Sequence, residues 1–393
     1  MELIDLYIEN SRIIKPYKKT QLPKDVILNY YRALYQSVCI DKHKYPEFRL
    51  CYSVSKICEM VHIDRKSYLV YDQYLGQSLA QWNTLFLSSA TTQEDIERYT
   101  CKCMAEILYV NGYYDLAIVP GLYYEELMKD ANFERLLNPQ KGFKQFKHQL
   151  EKSWNNILHE QFIMLHEICH WLLKNDPEYK ERIENKRREI IENDSYIILA
   201  NGGFIGNIQH DDSKRFASEM LEDRIKWYEQ DSKIEEVICD EYAFTHLLRI
   251  YSSNDKREIA SSCMLCMNNL RMLDGIKFNT FKSYVSASQS DLIDQGRVNK
   301  SLDTIHFEIM DAQYRKQVFV NITAPVVLYG KVLCQESYDL MVYLHYHADD
   351  KHSEKIGSVV FLDKSFREEV NQRVRNRLMK LDAPHFLVGI KYW

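Results

Sequence analysis

Helix breakers are scarce in this chain, with 12 glycines and 8 prolines among 393 residues. Scarcity on that scale excludes collagen-like and low-complexity architectures and favours long, uninterrupted helices. Also lacking is any run of about 18 apolar residues; the most apolar stretch, near 322–344, is broken by Lys331, Glu336 and Asp339, so no membrane span is expected. The opening Met1-Glu-Leu-Ile-Asp-Leu places acids where a secretory leader carries bases, and no apolar segment follows. Neither sign of charge dominates: 51 Lys and Arg against 56 Asp and Glu leave a net charge of −5, which offers no attraction to a nucleic-acid backbone. The 10 cysteines have no disulfide-framework spacing. These absences predict a cytoplasmic protein with reduced thiols, without membrane or nucleic-acid partners. Cys263-Met-Leu-Cys266 and Cys101-Lys-Cys103 lack a second pair, and read as small apolar core residues rather than a zinc knuckle.

What is present is a chain with a 46% hydrophobic fraction and 28 tyrosines, long enough for two or three domains. Residues 24–40 read as a helix. Residues 54–68 superficially resemble a helix-turn-helix, but the turn lacks glycine and two runs rich in β-formers follow, at 67–72 and 83–88. A helix is expected from Thr91 or Thr92, capped by Glu94 or Asp95, to Asn111-Gly112. One long helix is expected over 142–174, ended by Asp176-Pro177, then a charged, solvated helix over 178–193. After a loop with Gly202, Gly203 and Gly206, helix resumes over 213–251, and a strand pair is expected near 357–362 and 386–391. The whole reads as an α+β, mainly helical protein. It divides into a helical N-terminal region (1–66), a core (67–254) with an insertion at 175–230, and a mainly helical C-terminal domain (255–393) able to hold a protein partner.

The informative residues are His166-Glu167-Ile-Cys-His170. On a helix, positions four apart lie about 40° apart around the axis and one turn on, so both imidazoles can reach one metal ion. Two neutral imidazole nitrogens suit Zn²⁺, and Glu167 beside them can take a proton from the zinc-bound water. From the residue counts, roughly 0.03 such HExxH matches arise by chance in a chain of this composition. The flanking Phe162, Ile163, Leu165, Ile168, Trp171, Leu172 and Leu173 make the helix apolar, so its three polar residues need partners. The plainer alternative is a pair of satisfied core histidines beside an acid.

A zinc site needs a third protein ligand. Leu173 and Asp176 stand where a metzincin carries Gly and His, which excludes that arrangement, although Asp176 itself is a second-choice ligand. The better candidate is Glu236, because 236, 240, 243 and 247 form one helical line reading Glu, Asp, Ala, Leu. Two carboxylates on such a line should be paired or metal-bound when buried. Asp240, one turn on, can accept the free ring N–H of a ligand histidine, and Ala243 lets the two helices approach closely. An exposed acidic face is the alternative, since Glu235 and Glu241 make the stretch generally acidic. His159 reads as a packed or supporting histidine, Cys169 as core, and His210-Asp211-Asp212 as an exposed loop.

HEICH followed by ExxCDxxA (Glu236, Cys239, Asp240, Ala243) resembles the ImmA/IrrE-type metallopeptidases and the related Lit-type phage-exclusion peptidases. The resemblance covers about residues 67–250. It implies a zincin-like metallopeptidase core with a small sheet, zinc held by His166, His170 and Glu236, and Glu167 as catalytic base. It also implies an endopeptidase that cuts one or a few intracellular proteins in regulation or phage defence. The 171–235 segment is longer than the family's linker, and the last 140 or so residues match nothing in it. The competing reading is a zinc-stapled, non-catalytic sensor or interaction protein.

Overall fold

The computed structural model describes residues 2–12, 14, 23–39, 45–87, 92–129, 152–200 and 225–284, with 222, 315, 318, 319, 372–374, 376 and 377. Two helices, α1 (Leu3–Ser11) and α2 (Lys24–Val38), precede strands β1 (Glu47–Cys51), β2 (Glu59–Ile63) and β3 (Lys66–Asp72). The sheet order is β1-β3-β2, with β1 parallel and β2 antiparallel to β3. β3 is central and buried from Tyr68 to Asp72, which explains its unbroken apolar run in place of an alternation. Asp64 and Arg65, with φ of 51° and 63°, make the left-handed pair of a two-residue hairpin between β2 and β3. These strands occupy the segment that superficially resembled a helix-turn-helix.

Asp72 turns the chain from β3 into α3 (Gln73–Leu87). Its buried carboxyl accepts the backbone N–H groups of Ser53 and Tyr74 at 3.0 Å and of Lys56 at 3.1 Å. Residues 83–87, expected as strand, are instead the end of α3. Leu75, Leu79, Trp82 and Leu85 recur at helical spacing and are all buried, and a window opened at 83 cuts that periodicity short. Helix α4 (Gln93–Val110) begins as expected: the Thr92 hydroxyl accepts from the Asp95 N–H at 3.4 Å and the Asp95 carboxylate accepts from the Thr92 N–H at 2.9 Å. It ends at Asn111 and Gly112, whose φ of 82° is left-handed. Helix α5 (Tyr114–Lys129) follows.

Among the described residues the long helices that follow are α6 (Lys152–Lys174), α7 (Tyr179–Ala200), α8 (Asp231–Ile250) and α9 (Lys256–Tyr284). Residues 142–151 and the strand pair expected near 357–362 and 386–391 lie outside the described residues. Of the helical region expected over 213–251, residues 225–228 are helical, the chain breaks at Glu229 and the extended Gln230, and α8 then runs from Asp231. The charged α7 is not solvated all round: Ile183 and Ile190 are buried, Arg187 donates to the Tyr228 carbonyl at 2.8 Å, and Lys186 pairs with Glu241 of α8 at 2.5 Å. Helix α6 runs through the main core. Its Leu158, Phe162 and Leu165 pack with Leu69 and Tyr71 of β3, Leu75 and Leu79 of α3, Phe244 and Leu247 of α8, and Cys263 and Met264 of α9. The nine described cysteines are free thiols, and those of the CxC and CxxC pairs are buried as apolar residues. Among the described residues no helix is long and apolar enough to cross a membrane.

One core carboxyl shapes the pH response of this packing. Glu160 of α6 is buried and accepts from the Tyr31 hydroxyl at 2.8 Å, and a methyl group at Gly76 would collide with it. Burial pushes its pKa up to about 7, against the lowering effect of the neighbouring tyrosine hydroxyls, that of Tyr31 first. The folded protein therefore keeps a proton that the unfolded chain releases near pH 4.5. Stability tied to this group is fully present below pH 4.5 and is lost as pH rises towards 7. Glu160→Gln should remove that loss, of order 3 kcal/mol, so wild type weakens relative to the variant between pH 4.5 and 7. Urea unfolding of both proteins at pH 4.5 and 8 measures it. Parallel pH profiles would show Glu160 ionised in the folded state.

Candidate metal centre

Helices α6 and α8 lie against each other along much of their length, with fully buried Ala243 in their common core. This brings His166 and His170 of α6 to Glu236 of α8. The two Nε2 atoms are 3.1 Å apart, His166 Nε2 lies 3.3 Å from Glu236 Oε2, and His170 Nε2 lies 3.2 Å from Glu236 Oε1. Ligand atoms bound to tetrahedral zinc at 2.0–2.1 Å are about 3.3 Å from one another, so the three side chains fit one such ion.

Each imidazole is oriented by its own acid. His166 Nδ1 lies 3.0 Å from Asp240 Oδ1, and His170 Nδ1 lies 2.7 Å from Glu235 Oε1. The Tyr179 hydroxyl donates to the other oxygen of Glu235 at 2.8 Å. With Nδ1–H donating outward, each Nε2 is directed at Glu236, the orientation a metal site requires once the ion replaces the Nε2 proton. Asp240, expected beside a ligand histidine, lies against His166. Glu235, counted from the sequence only as part of an acidic face, serves the second ring.

The charges around the centre favour a cation. Burial lowers the pKa of His166, as does Arg315, but Asp240 and Glu236 outweigh both and raise it to about 9. Burial likewise lowers His170, and Glu235 with Glu236 raises it to about 10. Burial alone would push Glu236 up, yet Arg315 and the two rings hold it well below the usual carboxylate range. Glu167 is different: burial raises its pKa against the two histidines, and among the described residues its carboxyl makes no hydrogen bond.

A further donor is Cys239. One donor atom each of His166, His170 and Cys239 lie within 4.8 Å of one another, a group able to hold a metal ion. Glu236 makes much closer approaches to both rings, and burial together with a hydrogen bond to Cys169 pushes the Cys239 thiol far above its usual range. The shorter approaches make Glu236 the better-placed third donor.

The remaining candidates lie elsewhere. Asp176 caps a turn, accepting from Arg182 Nε at 2.8 Å and the Glu178 N–H at 2.9 Å. His159 is a core histidine, 2.8 Å from the Ser262 carbonyl through Nε2, and burial lowers its pKa to about 4. Residues 210–212 lie outside the described residues. Sequence reasoning missed Arg315, whose guanidinium touches Asp240, Glu236 and His166. Lying 75 residues beyond Asp240, it belongs to no motif that points to it. No family model, curated protein or solved structure matches the chain.

Proposed function

We propose that this protein is a zinc-dependent endopeptidase of the ImmA/IrrE or Lit type, with a zincin-like core, acting on one or a few intracellular proteins. The observation that carries the reading is the mutual 3.1–3.3 Å spacing of His166 Nε2, His170 Nε2 and the Glu236 carboxylate, with each ring backed by its own acid. Zinc, when held there, supplies Lewis acidity that polarises a peptide carbonyl and brings the pKa of water towards neutrality. Glu167 takes the proton of the attacking water and returns it to the leaving amide nitrogen, a task suited to a carboxyl whose pKa burial has raised. Asp240 and Glu235 take up the Nδ1–H of the two rings and so leave both Nε2 atoms to the metal, which would displace their protons on binding. The resemblance of HEICH and ExxCDxxA to those peptidases supports the same assignment.

The test is a comparison of protein termini in cells producing the wild type and cells producing Glu167→Gln. A new terminus made only by the wild type, together with one zinc per chain in both proteins, supports the reading. One zinc per chain in both and no altered terminus would replace it with a zinc-stapled interaction protein.

That second reading has an observation of its own, because Cys239 with His166, His170 and Glu236 would give four protein donors and a closed, structural site. Cys239→Ser separates the two. With the thiol outside the coordination sphere, zinc affinity should stay within about threefold of the wild type, and a competitive chelator titration measures it. A loss of about 10²-fold or more would make Cys239 a ligand and the centre structural.

A further inference from the structure

Arg315 reaches the centre from a part of the chain with no role in the motif. Its Nε and one terminal nitrogen grip Asp240 at 2.5 and 2.6 Å, a two-pronged pairing, and its other terminal nitrogen lies 2.6 Å from Glu236 Oε2. One planar cation thus bridges two carboxylates a helical turn apart on α8, and each of those carboxylates faces a different nitrogen of His166. Beside it, Val318 and Phe319 are buried: Val318 packs in the cluster that holds Cys169 and Cys239, and the Phe319 ring lies edge-on to Phe162 of α6 and Phe244 of α8 at 5.5 and 5.8 Å. Arginine, valine and phenylalanine at i, i+3 and i+4 share a helical face, so these three side chains dock together on the α6–α8 pair.

We infer that Arg315 is a positioning residue of the metal centre, and that docking of Arg315, Val318 and Phe319 and metal binding reinforce each other. The inference rests on the metal reading above. Glu236 is about a third exposed along its side chain, so α8 alone leaves the carboxylate free to swing. Arg315 occupies Oε2 and leaves Oε1 facing His170 Nε2 at 3.2 Å, which fixes the carboxylate in a ligating pose without covering the oxygen directed at that ring. It also holds Asp240, which sets the tautomer of His166. A guanidinium can do both at once because its donors form a rigid fork. By linkage, whatever the docked segment adds to metal affinity the metal returns to docking.

Zinc affinity of the full chain, read by chelator competition, tests this independently of any activity. Arg315→Gln should bind zinc 10–100-fold more weakly, the range seen when a group that orients a ligand is removed. Arg315→Lys, which keeps the charge but loses the fork, should fall between that variant and the wild type. Phe319→Ala leaves every residue of the centre in place and loosens only the anchor; it should weaken zinc by about 3–10-fold. Cobalt substitution adds a spectroscopic readout: the visible bands of the wild type should shift in Arg315→Gln, reporting altered coordination. Far-ultraviolet circular dichroism in chelator confirms that each variant is folded. If Arg315→Gln is folded and binds zinc as well as the wild type, or more tightly, Arg315 is neutral or a competitor of the metal and the inference fails. A wild type that binds no zinc defeats the metal reading itself, a result plainly different from the first.

Discussion

Glu167→Gln is expected to leave zinc affinity within about twofold of the wild type while lowering turnover of the cognate protein by about 10²–10⁴-fold, the usual worth of a positioned general base. The two halves of that result have separate causes. On the proposed reading, metal affinity is set by His166, His170 and Glu236 and by the acids behind the rings, and Glu167 is none of these. Its carboxyl forms no hydrogen bond among the described residues, and burial already disfavours its charge. An isosteric amide therefore disturbs little and removes a desolvation cost, so the variant should be at least as stable as the wild type. What glutamine cannot do is accept a proton. Zinc titration, thermal unfolding and single-turnover cleavage of the substrate found by terminal profiling measure the three consequences. Turnover equal to the wild type would move the base to another group.

The legible parts of this molecule are those whose determinants sit within a few turns of one another. His166 and His170 could be paired from the sequence because a helix converts a spacing of four into a shared face, and the apolar flanks showed that the helix is buried. The capping box at Thr92 and Asp95 and the stop at Gly112 are equally local. Glu236 was reachable for a related reason: an acid heading a line that continues through Asp240, Ala243 and Leu247 has to meet something. Where tertiary packing overrides local preference, the sequence misled. Residues 83–87 look like strand, yet the helical series Leu75, Leu79, Trp82, Leu85 governs them, and Asn83 is turned inward to accept from Asn269 at 2.6 Å. Glu235 and Arg315 are the other limit. Each has an ordinary role on any surface, and only the meeting of segments 65 and 149 residues away from the histidines they touch gives it another.

The second large effect is expected at Glu236. Glu236→Gln keeps the shape and can still accept a hydrogen bond from Arg315, but it replaces an anionic ligand with a neutral amide. Zinc binding of structural strength is worth about 10–16 kcal/mol, so loss of one of three protein ligands should cost several kcal/mol, or about 10³-fold in affinity. Asp240→Asn should cost less, about 10–100-fold, because it touches the metal only through His166 and through Arg315. The order of the two effects matters more than either value. A carboxylate that binds the ion must outweigh one that orients a ring. Equal losses would mean that Asp240 shares the ion, and an unaltered affinity in Glu236→Gln would hand the third position to Cys239. In the metal-free protein the same substitution removes a negative charge that raises both rings, so their pKa values should fall from about 9 and 10. Histidine resonances followed by NMR titration in chelator would report that fall, showing through the rings alone that Glu236 faces them.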